Sequence, residues 1–97
     1  MGISLANARF LQESREEETR RDTGAAWFDL GICYSSGTGG THIDLVEAHK
    51  WFNLAAMSGL EEAQQLRAEI AEDMTPRQIA DAQKAARAFL RTEVRAH

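Results

Sequence analysis

The sequence predicts an all-α protein, and three observations indicate this class. The 97 residues are rich in Ala, Glu, Arg and Leu, which favour helix. Apolar residues recur at spacings of three and four, the period of an α-helix. No segment of useful length alternates apolar and polar residues as a half-buried strand would. We therefore expect a single helical domain over residues 1–97, with breaks marked by glycine and proline.

The first two helices are expected at 3–21 and 23–35. Asp22 or Thr23 is the expected N-cap of the second, because side chains of these types bond free amides at a helix start. The second helix should end in "SSGTGG", where several glycines stop it. One side of it carries residues at helical spacing: Trp27, Leu30, Gly31 and Tyr34.

The third helix is expected at 44–58. Asp44 starts it, and Glu47 three residues later makes "DLVE" a variant of the capping box. Gly59 is the expected C′ residue. Apolar residues occupy two sides of this helix, so two neighbours should pack on it. The wider side contains Leu45, Ala48, Trp51, Phe52, Ala55 and Ala56, and we expect the tryptophans and Phe52 to be core residues.

The last two helices are expected at 61–73 and 76–94. "TPRQ" between them contains a full capping box, with Thr75 as N-cap, Pro76 at the first helical position and Gln78 two residues later. The inner face of the last helix should carry Ile79, Ala82, Ala86, Phe89 and Leu90.

These residues resemble the Sel-one-like repeat family, a relative of the tetratricopeptide repeat. The matching positions are Ala26, Leu30, Gly31, Tyr34, Gly37, Gly39, Asp44, Ala48, Trp51, Phe52, Ala55, Ala56 and Gly59. The tail from Leu66 onwards also looks like the ending of small single-repeat bacterial members. The resemblance implies one full repeat at 23–59, then a degraded half-repeat plus a long C-terminal capping helix at 60–97. The expected architecture is thus a short antiparallel helical-repeat fragment with an additional N-terminal helix.

The glycine cluster between the second and third helices has two interpretations. As a hinge, Gly37 and Gly39 supply positive φ, and Gly31 lets its helix approach Ala48, Ala55 or Ala56 closely. As a phosphate-binding loop, the cluster would need a lysine and a preceding strand, and it has neither. We therefore expect a hinge.

Composition restricts the function classes further. The net charge of −4 disfavours nucleic acid as a partner. A single cysteine, Cys33, excludes an internal disulfide and is typical of a reducing compartment. The beginning of the chain lacks the apolar core of a signal peptide or membrane span. We expect a cytoplasmic protein with no membrane association.

No residue set points to catalysis, a metal or a cofactor. His42, Asp44 and His49 lie close in sequence, but His42 is in the expected loop and Asp44 is explained as a cap. Cys33 and His49 could form a nucleophile–base pair, yet Cys33 lies beside a core face, where a packed thiol is expected. We therefore expect a non-enzymatic protein without bound metal or cofactor.

The family resemblance implies a scaffold or adaptor that binds a peptide or helix of another protein. The candidate surface is the side of helix 23–35 away from its hairpin partner: Phe28, Asp29, Ile32 and Ser36. The first helix, through Phe10 and Leu11, is an alternative occupant of that groove. If the flanking helices fail to cover the repeat, we expect self-association, because a single repeat cannot bury its faces alone.

Two further hypotheses remain. Residues 61–73 carry five acidic side chains, whereas the last helix carries a basic stripe. That stripe could bind an anionic partner or nucleic acid through Arg77, Lys84, Arg87, Arg91 and Arg95, or could simply be a solvated face balanced by its acidic neighbour. The remaining hypothesis is a small hydrolase, which a few relatives of this repeat family are proposed to be. Those relatives are secreted and rich in cysteine, unlike this chain.

Overall fold

The computed structural model describes the backbone of residues 5–96 and the side chains of residues 21–93. This part of the chain contains α1 (Leu5–Ser36), α2 (Leu45–Met57), α3 (Glu61–Ala71) and α4 (Pro76–Ala96), and no strand. The all-α class is therefore confirmed. The bounds of α2, α3 and α4 agree with the expected helices to within about two residues, the usual uncertainty of helix ends.

The N-terminal part of the prediction is wrong, because the two helices expected at 3–21 and 23–35 form the single helix α1. Asp22 and Thr23 lie inside it and do not cap a new helix. The segment has no proline, and a break would leave backbone groups without their helical partners. Gly24 weakens a helix by only about 1 kcal/mol, and it is buried against Ser58 and Leu60. A single glycine is thus too weak a signal to end this helix.

The glycine cluster is a hinge, as expected. Gly37 and Gly39 have φ of 75° and 69°, a region that residues with a Cβ rarely adopt. The Gly37 amide donates to Cys33 O at 2.8 Å, which closes the C-terminus of α1. After the turn, the Asp44 amide donates to Tyr34 O at 2.8 Å and so ties the start of α2 to α1. Asp44 Oδ1 accepts from the Glu47 amide at 3.1 Å, as expected for an N-cap.

Helix α2 is the centre of the fold and packs against α1, α3 and α4. A Cβ at Gly31 would lie 2.5 Å from Cδ1 and Cε1 of Phe52, which confirms close approach of α1 and α2 at this glycine. The contact is with the Phe52 ring, not with the alanines that we expected. The core around this contact contains the buried residues Ala48, Phe52, Ala55 and Ala63, covered by Trp27, Phe28, Ile32, Tyr34, Ala56, Leu60, Leu66 and Ile70.

Helix α4 begins with the capping box that the sequence predicts. The Gln78 amide donates to Thr75 Oγ1 at 3.1 Å, and the Thr75 amide donates to Gln78 Oε1 at 2.9 Å. Ala82 and Ala86 are buried on the inner face of the helix. Further along, the Phe89 ring makes edge contacts with two tryptophans, at centroid distances of 5.2 Å to Trp51 and 5.9 Å to Trp27. Phe89 thus joins α4 to both α2 and α1.

Candidate functional site

Two of the four residues proposed as a partner-binding surface belong to the protein's own packing. The Phe28 ring lies 5.6 Å from the Phe52 ring on α2, centroid to centroid. Ile32 is half-buried and also packs against the core. The expectation that Phe28 and Ile32 face away from the hairpin partner is therefore wrong. The alternative occupants of that groove, Phe10 and Leu11, lie outside the residues whose side chains are described.

The outer side of α1 does carry the other two proposed residues. Asp29 and Ser36 are exposed, and the Ser36 hydroxyl donates to Ile32 O at 2.6 Å. Leu30 is 38% exposed, although the sequence grouped it with the inner stripe. The outer side of α1 therefore carries mostly polar and small side chains between residues 21 and 36. Its one large apolar side chain there, Leu30, is partly covered. This side of α1 offers little apolar area to a docking peptide.

The basic side chains of α4 share one exposed side of the helix, where the exposed Asp81 lies between Arg77 and Lys84. Arg77, Lys84, Arg87 and Arg91 are all exposed, on the side of the helix opposite the buried alanines. None forms an ion pair or hydrogen bond with another described residue. We call these four residues the basic stripe. Arg95, the fifth predicted member, lies beyond the residues whose side chains are described.

The acidic side chains of α3 and its C-terminal end are likewise exposed, namely Glu61, Glu62, Glu69, Glu72 and Asp73. The described residues contain no ion pair between this set and the basic stripe, although α3 and α4 are adjacent in the chain. Balance between the two helices therefore operates only at a distance, where solvent and salt screen it.

Among residues 21–93, His49 is the buried polar residue, with 3% of its surface exposed. Burial lowers the pKa of its imidazole below the ordinary value of 6.5, and the nearby positive charge of Arg67 lowers it further. The Nδ1 atom of His49 has no hydrogen-bond partner in the part of the chain that the structure describes. Arg67 Nη1 donates to Asn53 Oδ1 on α2 and so links α2 to α3. Burial and the charge of Arg67 thus both favour the neutral form of His49.

The residues considered for chemistry do not assemble into a site. Cys33 is half-buried, next to the glycine loop, and no hydrogen bond connects it to His49. His42 is exposed, and the Asp44 carboxylate is engaged as a cap. Among the described residues, no three His, Cys, Asp or Glu side chains are grouped in a way that could hold a metal ion.

The aromatic residues expected in the core differ in their burial. Phe52 is fully buried, as expected, whereas Trp27 and Trp51 are half-buried where α4 covers them. Trp51 Nε1 donates to Glu47 Oε2 at 3.1 Å, and Lys50 Nζ lies 4.3 Å from the centroid of the Trp51 ring. The indole N–H and the ring face of Trp51 are thus both in contact with charged residues of the same helix.

An open depression of about 540 Å³ lies where α1 passes the junction of α2 and α3. Its lining combines charged residues, small residues and one leucine: Arg21, Ala25, Gly59, Leu60, Glu61 and Glu62. The site is shallow and its two carboxylates face solvent, so it lacks the enclosed apolar walls of a typical small-molecule pocket.

Comparisons with known proteins identify no relative: no family model, no curated protein and no solved structure matches this chain. Membership of the Sel-one-like repeat family therefore stays a prediction. Within the described residues, no helix is both long enough and apolar enough to cross a membrane.

Proposed function

We propose that the protein is a non-enzymatic interaction module of the helical-repeat type, which binds an acidic helix or peptide of a partner protein through the basic stripe of α4. The observation that carries this proposal is the exposure of four cationic side chains on one side of α4, without any ion pair to a described residue. Clusters of arginine are a recurrent means of binding acidic segments.

The stripe has a regular geometry that suits an elongated partner. Arg77, Lys84 and Arg91 follow one another at intervals of seven residues, close to two helical turns. Successive cations are therefore about 10.5 Å apart along the helix axis. An acidic helix with carboxylates at the same interval can place one carboxylate opposite each cation.

The supporting structure holds the stripe in place. The capping box fixes the start of α4, the buried Ala82 and Ala86 hold its middle, and Phe89 anchors it to Trp27 and Trp51. A rigid helix loses little conformational freedom when a ligand binds, which favours association.

A protein segment fits the charge distribution better than a nucleic acid does. The whole molecule has a net charge of −4, and the acidic side chains of α3 neighbour the stripe in the chain. A long polyanion would meet these carboxylates as well as the cations. A short acidic segment can contact the stripe alone, so we favour a protein partner over nucleic acid.

Binding of a helical peptide with glutamate at every seventh position tests the proposal. We expect binding at low salt that falls strongly at about 1 M salt, where charges are screened beyond about 3 Å. Lys84→Ala/Arg91→Ala should weaken binding about 2- to 30-fold, since two exposed ion pairs contribute roughly 0.2–1 kcal/mol each.

The matched control is Ala25→Glu/Ala26→Glu, which lowers the net charge by the same two units at exposed positions of α1. It should bind almost normally. Equal losses in both variants would show a general charge effect and contradict a site on α4. Binding of a duplex oligonucleotide in place of the peptide, lost in the Lys84→Ala/Arg91→Ala variant, would replace the proposal with the nucleic-acid alternative.

A further inference from the structure

The acidic side chains of α3 repeat the spacing of the basic stripe. Glu62 and Glu69 are both exposed and are separated by seven residues, as are Lys84 and Arg91. Two carboxylates about 10.5 Å apart on one helix thus match two cations about 10.5 Å apart on another. The chain contains both halves of a complementary contact.

The two halves do not meet within one molecule. Ala63 on α3 and Ala82 on α4 are fully buried, so both helices turn these sides to the protein interior and keep their charges outside. Met74, in the short connection between the helices, is also buried and anchors it. No ion pair joins the acidic and basic sets among the described residues, so both remain available to another molecule.

We propose that the partner of the basic stripe is a second copy of this chain, which offers the exposed carboxylates of its α3. This inference rests on the proposed function and names the acidic partner. Each copy has one basic and one acidic half, so the contact joins two different surfaces. Such a heterologous contact adds copies head to tail, unless the rotation between successive copies closes a ring.

Sedimentation velocity over a range of protein concentrations tests this association. At low salt, we expect the weight-average mass to rise with concentration above that of a single chain. At about 1 M salt the protein should be a single chain throughout, because screening removes exposed ion pairs. A single chain at every concentration in low salt would overturn the inference.

Charge reversal separates this contact from nonspecific attraction. Glu62→Lys/Glu69→Lys alone, and Lys84→Glu/Arg91→Glu alone, should each abolish self-association. A mixture of the two variants should associate again, because the new lysines of one face the new glutamates of the other.

The matched control for the α3 variant is Asp22→Lys/Asp29→Lys, which changes the net charge equally at exposed positions of α1 and should still associate. Circular dichroism must show that each variant remains helical. Self-association that survives in the α3 variant, or a mixture that stays monomeric, would refute the pairing of α3 with α4. The acidic peptide distinguishes the two proposals. If it binds to a chain that does not self-associate, the proposed function stands and only this inference fails.

Discussion

Replacing Gly31 by alanine tests the closest helix contact in the fold. The added Cβ would lie 2.5 Å from two carbons of the Phe52 ring, whereas ordinary contacts begin at 3.4 Å. The new Cβ and the Phe52 ring must therefore move apart by about 1 Å. The ring cannot swing aside easily, because Phe52 is fully buried and touches Phe28. Either the ring shifts within a packed core or the two helices move apart.

The magnitude follows from two opposing effects. Overpacking a well-packed core typically costs about 1–3 kcal/mol. Replacing glycine by alanine inside a helix returns about 1 kcal/mol through helix propensity. We expect Gly31→Ala to lower the free energy of unfolding by about 1 kcal/mol, measured by urea denaturation followed by circular dichroism.

Gly24→Ala is the matched control, since Gly24 lies in the same helix and gains the same propensity. The Cβ at this position would lie 2.1 Å from Ser58 Oγ and 2.8 Å from Leu60 Cδ1, which are the ends of side chains. These ends can rotate away, but Ser58 Oγ would then lose its hydrogen bond to Ala55 O, at a cost of about 1 kcal/mol that offsets the propensity gain. This variant should be about 1 kcal/mol more stable than Gly31→Ala. A Gly31→Ala protein that is more stable than the unmodified chain by the full propensity gain would refute the close contact. Gly31→Ala/Phe52→Leu should lose less stability than the sum of its single changes, because the smaller side chain relieves the clash.

Three further predictions concern stability. Because burial lowers the pKa of His49 in the folded protein, the unfolded chain binds a proton more readily below pH 6.5, and the free energy of unfolding should fall as the pH drops below that value. His49→Gln should flatten this dependence in urea titrations at several pH values. Thr75→Ala removes one half of the capping box and should lower the free energy of unfolding by about 1 kcal/mol in the same assay. The control Gln83→Ala, at an exposed position of the same helix, should not lower it. Trp51→Ala should lower the free energy of unfolding by about 2 kcal/mol, measured by thermal and urea denaturation. This is less than the roughly 3–5 kcal/mol of a fully buried aromatic, because Trp51 is half-buried. An unchanged stability would contradict its contact with Phe89.

The candidate site shows where prediction from sequence alone reaches its limit. The basic stripe of α4 was visible in the spacing of its cations, and the structure places four of them on the exposed side. The orientation predicted for Phe28 and Ile32 was wrong because α1 has apolar residues on several sides. Periodicity shows that Phe28 and Ile32 share a face, but it does not show which neighbour covers that face. The face of Phe28 is covered by Phe52, which lies 24 residues further along the chain.

The sequence by itself determined the features that depend on a few neighbouring residues. These are the helical class, the capping box at Thr75 and Gln78, the cap at Asp44 and the positive φ of Gly37. Their hydrogen bonds and backbone dihedrals involve groups at most a few positions apart, so a local pattern is enough to specify them. Only the tertiary structure decided that Leu30 is partly exposed and that, among the described residues, the charges of α3 and α4 do not pair. Each of these outcomes depends on which distant part of the chain packs against a given side of a helix. Burial of apolar area is non-directional, so a local sequence pattern does not specify the packing partner.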